Sequence, residues 1–195
     1  MLESQESFTV SLANPAGASI WLGEASGRLR NDDAAPRLSA PAYGKDATFL
    51  FDSAYYLWAN PDLAATVSVA DAAQNYLSAG AAEGRSPNSY FDAAYYKNRW
   101  ADLKGQPFDD AVLFQHFNRF GVWEGRSPGP KFDAFDGNKY LTDNPDVAAY
   151  VDAFIGDFLG SRTNGAIAHY IIYGAAEQRL IFDTGGQPIV LDYLV

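Results

Sequence analysis

The sequence predicts a mainly α protein of three stacked helical-hairpin repeats, each about 40 residues long, preceded by a short β-hairpin. A Phe-Asp phrase opens each repeat, at Phe51-Asp52, Phe91-Asp92 and Phe135-Asp136. Each repeat ends on a helical stretch with a glycine, followed by a glutamate and an arginine at 83 and 85, 124 and 126, and 177 and 179. Residues 1–33 lack both phrases and contain an alternating apolar and polar stretch, which is typical of a half-buried strand.

The composition limits the classes of partner. The 195 residues are enough to bury a core, and the net charge of -10 disfavours nucleic acid and anionic lipid. No apolar run approaches the roughly 20 residues that span a bilayer, so we expect no membrane insertion. The chain has no cysteine, which excludes disulfides and thiolate metal sites.

The N-terminal region predicts two strands and a linker. Residues 8–12 alternate as one strand, Asn14-Pro15-Ala16-Gly17 forms a turn, and residues 20–33 contain a second strand with an acidic end. A lone hairpin is marginal in water, so we expect residues 1–33 to be an incomplete domain, a piece of a longer protein. Residues 34–48 are rich in proline and small residues and are predicted to be a linker.

The opening phrase of each repeat predicts a capped helix. Asp52 can accept from backbone N–H groups of the first turn, while Phe51 and Tyr56 have the spacing of a hydrophobic staple. The same offsets recur from Asp92 and Asp136, and they place the start of the third repeat at Phe135 rather than Phe132. The helical domain is then 49–183, with repeats at about 51–90, 91–134 and 135–181.

The second helix of each repeat carries apolar residues at helical spacing, including Leu113, Phe117 and Phe120 in the second repeat. Gly80, Gly121 and Gly174 are predicted to be the left-handed residues that end these helices. Phe182-Asp183 is predicted to begin a fourth repeat that is not completed. Residues 184–195 are either a terminal strand or a secretion signal, because Asp192 is followed by hydrophobic residues.

The two histidines are the main candidates for proton or ligand chemistry. His116 and His169 occupy the same place in the second and third repeats, and Asn75 replaces them in the first. They are either ligands or bases, or partly buried residues that bond within their own repeat. The chain has none of the common nucleophile, metalloprotease or phosphate-loop motifs, so we predict that it is not an enzyme.

Arginines and aromatic residues are the candidates for ligand binding. Arg85, Arg126 and Arg179 either contact a ligand on a concave surface, or bond helix ends and pair with an acid of a neighbouring repeat. Trp58 and Trp123 are the strongest candidates for exposed platforms that stack on sugar rings. The wider aromatic set serves either the core or a ligand, and its other members are Tyr55, Tyr95, Trp100 and Tyr173.

Clustered acidic residues make calcium the one cofactor candidate. Calcium prefers six to eight oxygen ligands. The densest group of oxygen-bearing side chains consists of Asp133, Asp136, Asn138 and Asp143, followed by the pairs Asp109-Asp110 and Asp32-Asp33. None of these matches the EF-hand spacing, and helix capping also explains Asp136.

Two stretches resemble known families. Residues 8–33 resemble the last hairpin of a Calx-beta domain, through Phe8, Val10, Leu12, Asn14-Pro15, Gly17, Gly27 and Asn31-Asp32-Asp33. The three repeats in residues 49–183 resemble repeats of large RTX-like bacterial proteins exported by type I secretion. Those repeats read F-D-x-x-Y-Y-L-x-x-N-P-D and then H-Y-x-x-x-G-x-x-E-G-R. The first resemblance implies that the hairpin is the remnant of a β-sandwich whose other strands lie upstream. The second implies an extracellular or cell-surface location, and such export bypasses the disulfide-forming machinery.

Together these features predict a non-catalytic structural or interaction module of a large secreted bacterial surface protein, in an adhesin, surface-layer or spacer role. The alternative is a recognition domain that binds carbohydrate or peptide in the groove between repeats. The expected partners are an extracellular glycan or protein, or another copy of the chain.

Overall fold

The computed structural model describes residues 6–11, 24–29 and 47–191 of the chain. The chain divides into two compact units, Met1–Ser39 and Ala40–Val195.

The first unit contains the predicted hairpin. Strands β1 (Glu6–Ser11) and β2 (Glu24–Leu29) pair antiparallel, with Glu6 opposite Leu29 and Ser11 opposite Glu24. The predicted pairing of two strands is confirmed. The turn at residues 14–17 and the acidic residues 31–33 lie outside the described residues.

The described part of the second unit is mainly α, as predicted. Its α-helices are Ser53–Ala59 (α1), Ala72–Asn75 (α2), Ala93–Arg99 (α3), Asp110–His116 (α4), Gly137–Asp143 (α5), Pro145–Ala153 (α6) and Arg162–His169 (α7). Short 3-10 helices lie at Pro61–Leu63, Pro130–Phe132 and Ile155–Phe158. Within the described residues, no helix has both the length and the apolar character needed to cross a membrane.

The predicted helix starts are confirmed at all three Phe-Asp phrases. The carboxylates of Asp52, Asp92 and Asp136 accept from the backbone N–H three residues later at 2.8, 2.8 and 2.9 Å. The preceding phenylalanines pack on the tyrosines four positions after the caps, with ring centroids 5.2, 5.5 and 5.7 Å apart. The third start is therefore at Phe135, and Phe132 is a buried residue of the preceding 3-10 turn. We call 51–90, 91–134 and 135–181 the first, second and third segments.

The helix that leads to the predicted glycine in each segment ends differently from the prediction. Helices α2, α4 and α7 continue into π-helical turns at Tyr76–Gly80, Phe117–Gly121 and Tyr170–Gly174. The left-handed residues follow four positions after the predicted glycines, at Gly84, Gly125 and Gln178. In each case the next N–H, that of the segment's arginine, bonds the carbonyl of the predicted glycine at 2.9 Å, which is the bond that defines a Schellman motif.

Gln178 offers a direct test of this helix end. It is exposed and has a φ of 57°, a conformation that disfavours any residue with a Cβ. We expect Gln178→Gly to raise the free energy of unfolding by about 0.5–1 kcal/mol, after allowing for the extra flexibility of glycine in the unfolded chain. Urea unfolding measures the change.

Gly84→Gln is the matched control. Gly84 has a φ of +75° and no atom within 4 Å of an added Cβ, so only the backbone conformation is tested. We expect a loss of similar size there. Equal stability of Gln and Gly at both positions would contradict the left-handed assignment.

Aromatic residues dominate the core between helices. Tyr56, Tyr96 and Tyr140 are at most 1 % exposed, and Phe114 and Phe117 are fully buried. Phe120, which the helical spacing predicts to face inward, is 53 % exposed. The π turn after α4 explains the difference, because it changes the helical phase of the residues that follow His116.

In each segment, the backbone near the beginning bonds the backbone near the end. The backbone N–H of Asp52, Asp92 and Asp136 donates to the carbonyls of Pro87, Pro128 and Phe182, at 3.0, 3.0 and 2.9 Å. Phe182, one residue beyond the predicted end at 181, therefore makes the closing bond of the third segment instead of beginning a fourth. The carboxylate of Asp183 accepts from the N–H groups of Gly185 and Gln187, which forms a turn and not a helix cap. Leu191 is buried at the end of the described residues.

Candidate functional site

The arginine near the end of each segment bonds residues that follow the first helix of the same segment. Arg85 donates two bonds to the carboxylate of Asp62, at 2.7 and 2.9 Å, and one to Asn60 Oδ1 at 2.8 Å. Arg179 makes the same bonds to Asp146, at 2.6 and 3.0 Å, and to Asn144 at 2.8 Å. Each arginine also pairs with the glutamate two residues before it.

These bonds correct the alternative that the arginines pair with acids of neighbouring segments. The partners of Arg85 and Arg179 belong to the same segment, and the bonds to arginine hold the pKa of Asp62 and Asp146 below the usual value. A paired, bidentate guanidinium is an anchor that fixes geometry. Arg85 and Arg179 therefore have a structural role, and a ligand would have to replace these bonds in order to bind them.

The second segment differs, because Trp100 stands where Asn60 and Asn144 stand in the others. Arg126 bonds Asp102 at 2.9 Å and pairs with Glu124, but it has no asparagine to bond. Its guanidinium lies 5.0 Å from the centre of the Trp100 ring, and that of Arg99 lies 5.2 Å away. Trp100 is thus in contact distance of two cations.

The buried tyrosines of the three segments bond the residues that the sequence singled out for proton chemistry. Tyr56 Oη donates to Asn75 Oδ1 at 2.8 Å. Tyr96 Oη lies 3.0 Å from His116 Nδ1, and Tyr140 Oη lies 3.0 Å from His169 Nδ1. Of the two alternatives for the histidines, this geometry is that of partly buried residues bonded within their own segment.

Burial determines the charge state of these pairs. Removal from water lowers the pKa of His116 below 6.5 and that of His169 to about 4, because the charged imidazolium is disfavoured there. Burial also raises the pKa of Tyr96 and Tyr140 above 10. Both pairs are neutral at pH 7.

The two tryptophans predicted to be surface platforms have different environments. Trp58 is 62 % exposed, with its ring 6.0 Å from that of Tyr55. Trp123 is only 3 % exposed and lies between the rings of Phe49 and Phe158, each 6.3 Å away. The prediction of an exposed Trp123 is wrong, because its flat ring fills the core and its indole N–H bonds the Asn118 carbonyl.

The predicted calcium ligands do not converge. Asp136 caps α5, Asp143 pairs with Lys139 at 2.7 Å, and Asp133 pairs with Arg99 at 3.3 Å. Asn138 is exposed on α5, where its carbonyl accepts from Thr142. Among the residues that the structure describes, no group of three or more His, Asp or Glu side chains is placed to hold a metal ion. Of the two further pairs, Asp109 caps α4 by accepting from the Val112 N–H, and Asp32-Asp33 lies outside those residues.

Two surface grooves flank the second segment. One, of about 180 Å³, is lined by residues of the first and second segments, including Tyr55, Asn88 and Asp92. The other, of about 190 Å³, lies between the second and third segments and includes Arg99, Trp100 and Asp133. The grooves are open, and the second is the one next to the departure at Trp100.

The sequence places Trp100 in the wider set of aromatic candidates, but it does not show what the exchange of asparagine for tryptophan removes. Aligning the segments gives Asn60-Pro61-Asp62, Trp100-Ala101-Asp102 and Asn144-Pro145-Asp146, so the exchange of asparagine for tryptophan is visible. Its meaning was not visible, because the arginine partner lies 25 residues away in the first segment and 35 in the third.

Comparison with known proteins adds no constraint on the function of this site. No protein family, curated protein or solved structure matches the chain.

Proposed function

We propose that this chain is part of a non-catalytic structural and interaction module of a large secreted bacterial surface protein. In this proposal the three segments are stacked copies of one helical-hairpin unit. The observation that carries it is the recurrence of one set of contacts: a capped start, a tyrosine bonded to Asn75, His116 or His169, and an arginine bonded to the first-helix end.

The polar side chains that could serve in catalysis are already bonded to other residues of their own segments. His116 and His169 bond tyrosines, and Asn75 makes the equivalent bond in the first segment without any proton chemistry. The arginines and their acids are similarly paired inside each segment. The extracellular setting rests on the likeness to Calx-beta and RTX-like sequences and on the absence of cysteine.

An in-phase deletion tests the repeat architecture. Removing residues 92–135 joins Phe91 to Asp136 and preserves the Phe-Asp phrase. If the segments are modular, the shortened chain should still unfold cooperatively in urea, with a smaller denaturant dependence because less surface is exposed.

Deletion of residues 94–135 is the control, because it joins Ala93 to Asp136 two residues out of phase. It leaves Phe91 seven residues before Tyr140 instead of five, so the aromatic staple is lost whichever aspartate caps the helix, and this should be the less stable chain. Loss of cooperative unfolding in the in-phase chain would contradict the proposal.

The second candidate function is recognition of carbohydrate or peptide in the groove between segments. The observation that favours it is the exchange of a structural asparagine for Trp100 beside the groove of about 190 Å³. A spacer requires no ligand there, whereas a recognition domain requires one.

A further inference from the structure

At Trp100 the second segment lacks the hydrogen bonds that an asparagine makes at the same position in the other two segments. Asn60 and Asn144 donate to the carbonyls of Tyr56 and Tyr140 at 2.7 and 2.8 Å, and each also accepts from its segment's arginine at 2.8 Å. An indole has one donor and no acceptor, so Trp100 cannot replace the asparagine as acceptor for Arg126. The other two segments serve as an internal reference for what this position does when only stability is at stake.

The indole N–H of Trp100 is itself unsatisfied. Its Nε1 is shielded from solvent and has no hydrogen-bond partner among the described residues. Leaving a buried donor unpaired is unfavourable, and such departures from a local rule are expected where a residue serves function.

We propose that the groove beside Trp100 binds one residue of a carbohydrate, whose hydroxyl accepts from the Trp100 indole N–H. This inference rests on the recognition function proposed above and gives it a ligand class. The groove, of about 190 Å³, is smaller than a site for a drug-sized ligand and suits a single sugar ring. Its polar lining includes Arg99, Ser127, Asp133, Thr163 and Asn164.

The available hydrogen-bonding groups favour a hydroxyl. Asp133 Oδ1 accepts hydrogen bonds from the Tyr95 hydroxyl and from Arg99 Nε. The other oxygen, Oδ2, has no hydrogen-bond partner within residues 47–191. A sugar hydroxyl both accepts and donates, so neighbouring hydroxyls can satisfy the indole N–H and the free carboxylate oxygen together.

Other ligand classes fit the groove less well. Asp133 and the net charge of -10 oppose an anionic ligand. Peptides that bind by adding a strand to a sheet edge are also disfavoured, because within residues 47–191 no strand borders this groove. Both arguments favour a neutral polyhydroxyl ligand.

Arg99 lines the same groove as Trp100, with its guanidinium 5.2 Å from the centre of the indole ring. Its side chain is 51 % exposed, and its pair with Asp133 at 3.3 Å is a surface ion pair. Breaking such a pair weakens binding by no more than about fivefold, so a ligand can displace Arg99 toward solvent. Arg126 stays in place on the ring, because its side chain is 15 % exposed and pairs with Asp102 and Glu124.

The test follows the indole N–H signals of the four tryptophans in the ¹⁵N-labelled full chain by NMR. The probes are the methyl glycosides of glucose, galactose, mannose and N-acetylglucosamine. We expect at least one to shift the Trp100 signal saturably, with a dissociation constant of about a millimolar, while the Trp58 and Trp123 signals stay fixed. Trp100→Phe assigns the signal and removes the donor, and it should weaken binding by about fivefold. In the Trp100 variants, binding is followed by the backbone amide signals of Thr163 and Asn164, which line the same groove.

Trp100→Asn restores the residue of the other segments and is the decisive control. It should abolish binding and leave the chain at least as stable, because the asparagine can again bond Arg126. Failure of all four glycosides to move the Trp100 signal, or equal binding by Trp100→Phe, would overturn the sugar proposal. If a mixture of extended peptides moves the signal instead, the recognition function survives with another ligand; if nothing moves it, both are wrong.

Discussion

Replacing Gly80 with alanine should destabilise the protein by about 2–3 kcal/mol, although the same change inside an ordinary helix is stabilising. A Cβ at Gly80 would lie 2.1 Å from the hydroxyl oxygen of Tyr56, which is fully buried and bonded to Asn75. The glycine exists to make room for that hydroxyl. Urea unfolding at pH 8 measures the change.

The hydroxyl oxygen alone accounts for the overlap, which makes a double-mutant cycle decisive. Without it, the nearest atoms to the added Cβ are Tyr56 Cζ at 3.1 Å and Arg85 Cδ at 3.4 Å. Tyr56→Phe alone should cost about 1 kcal/mol for the lost bond, since Asn75 is half-buried and can turn to water. In that background Gly80→Ala should be nearly neutral, which gives a coupling of about 2 kcal/mol.

The second segment supplies a matched control with a different expected result. An added Cβ at Gly121 meets Tyr96 Oη at 2.1 Å and also Phe117 Cδ2 at 2.8 Å. Tyr96→Phe should therefore rescue Gly121→Ala only in part. Additive effects of Tyr56→Phe and Gly80→Ala would show that the hydroxyl is not the cause.

These glycines show which features the sequence could predict. The cap at Asp52 and the contact between Phe51 and Tyr56 depend on residues within one helical turn or so, and both predictions are confirmed. The role of Gly80 was predicted wrongly as a helix end. A π turn leaves no signal in local composition, and the tyrosine that needs the space lies 24 residues earlier in the chain.

The candidate site was less predictable for the same reason. The partners of Arg85 and Arg179 lie 23 to 35 residues away, and nothing in the repeated phrase says whether an acid belongs to the same segment or the next. Likewise, an aromatic side chain suits both a core and a surface, so Trp123 was assigned to the wrong one. The grooves require the packed helices before they exist at all.

Acidification should destabilise the protein between pH 6.5 and pH 4 through its two histidines. Burial lowers the pKa of His169 to about 4, whereas a histidine in the unfolded chain titrates near 6.5. Between these values the unfolded state binds a proton that the folded state does not, so stability falls as the pH falls. The contribution of His169 is complete above pH 6.5, and about 3 kcal/mol of it is lost near pH 4.

The surroundings of His169 preserve this sign. Glu177 and Asp146 raise its pKa and Arg179 lowers it, but the loss of water is the largest influence. His116 is less buried and its pKa is lowered in the same direction. The carboxylates paired with arginine, such as Asp146, lose their contribution only below their ordinary value of 3.8, outside this window.

The first segment provides the variant that isolates the histidines. Asn75 bonds Tyr56 without titrating, so His116→Asn with His169→Asn should keep the tyrosine bonds and remove most of the pH dependence between 6.5 and 4. The reciprocal Asn75→His should add to it, because a third imidazole would have to stay neutral beside a buried tyrosine. Urea unfolding of the three chains at several pH values measures these slopes. If the double asparagine variant lost stability as steeply as the parent, the histidines would not be its cause, and their place beside the tyrosines would call for a role other than structure.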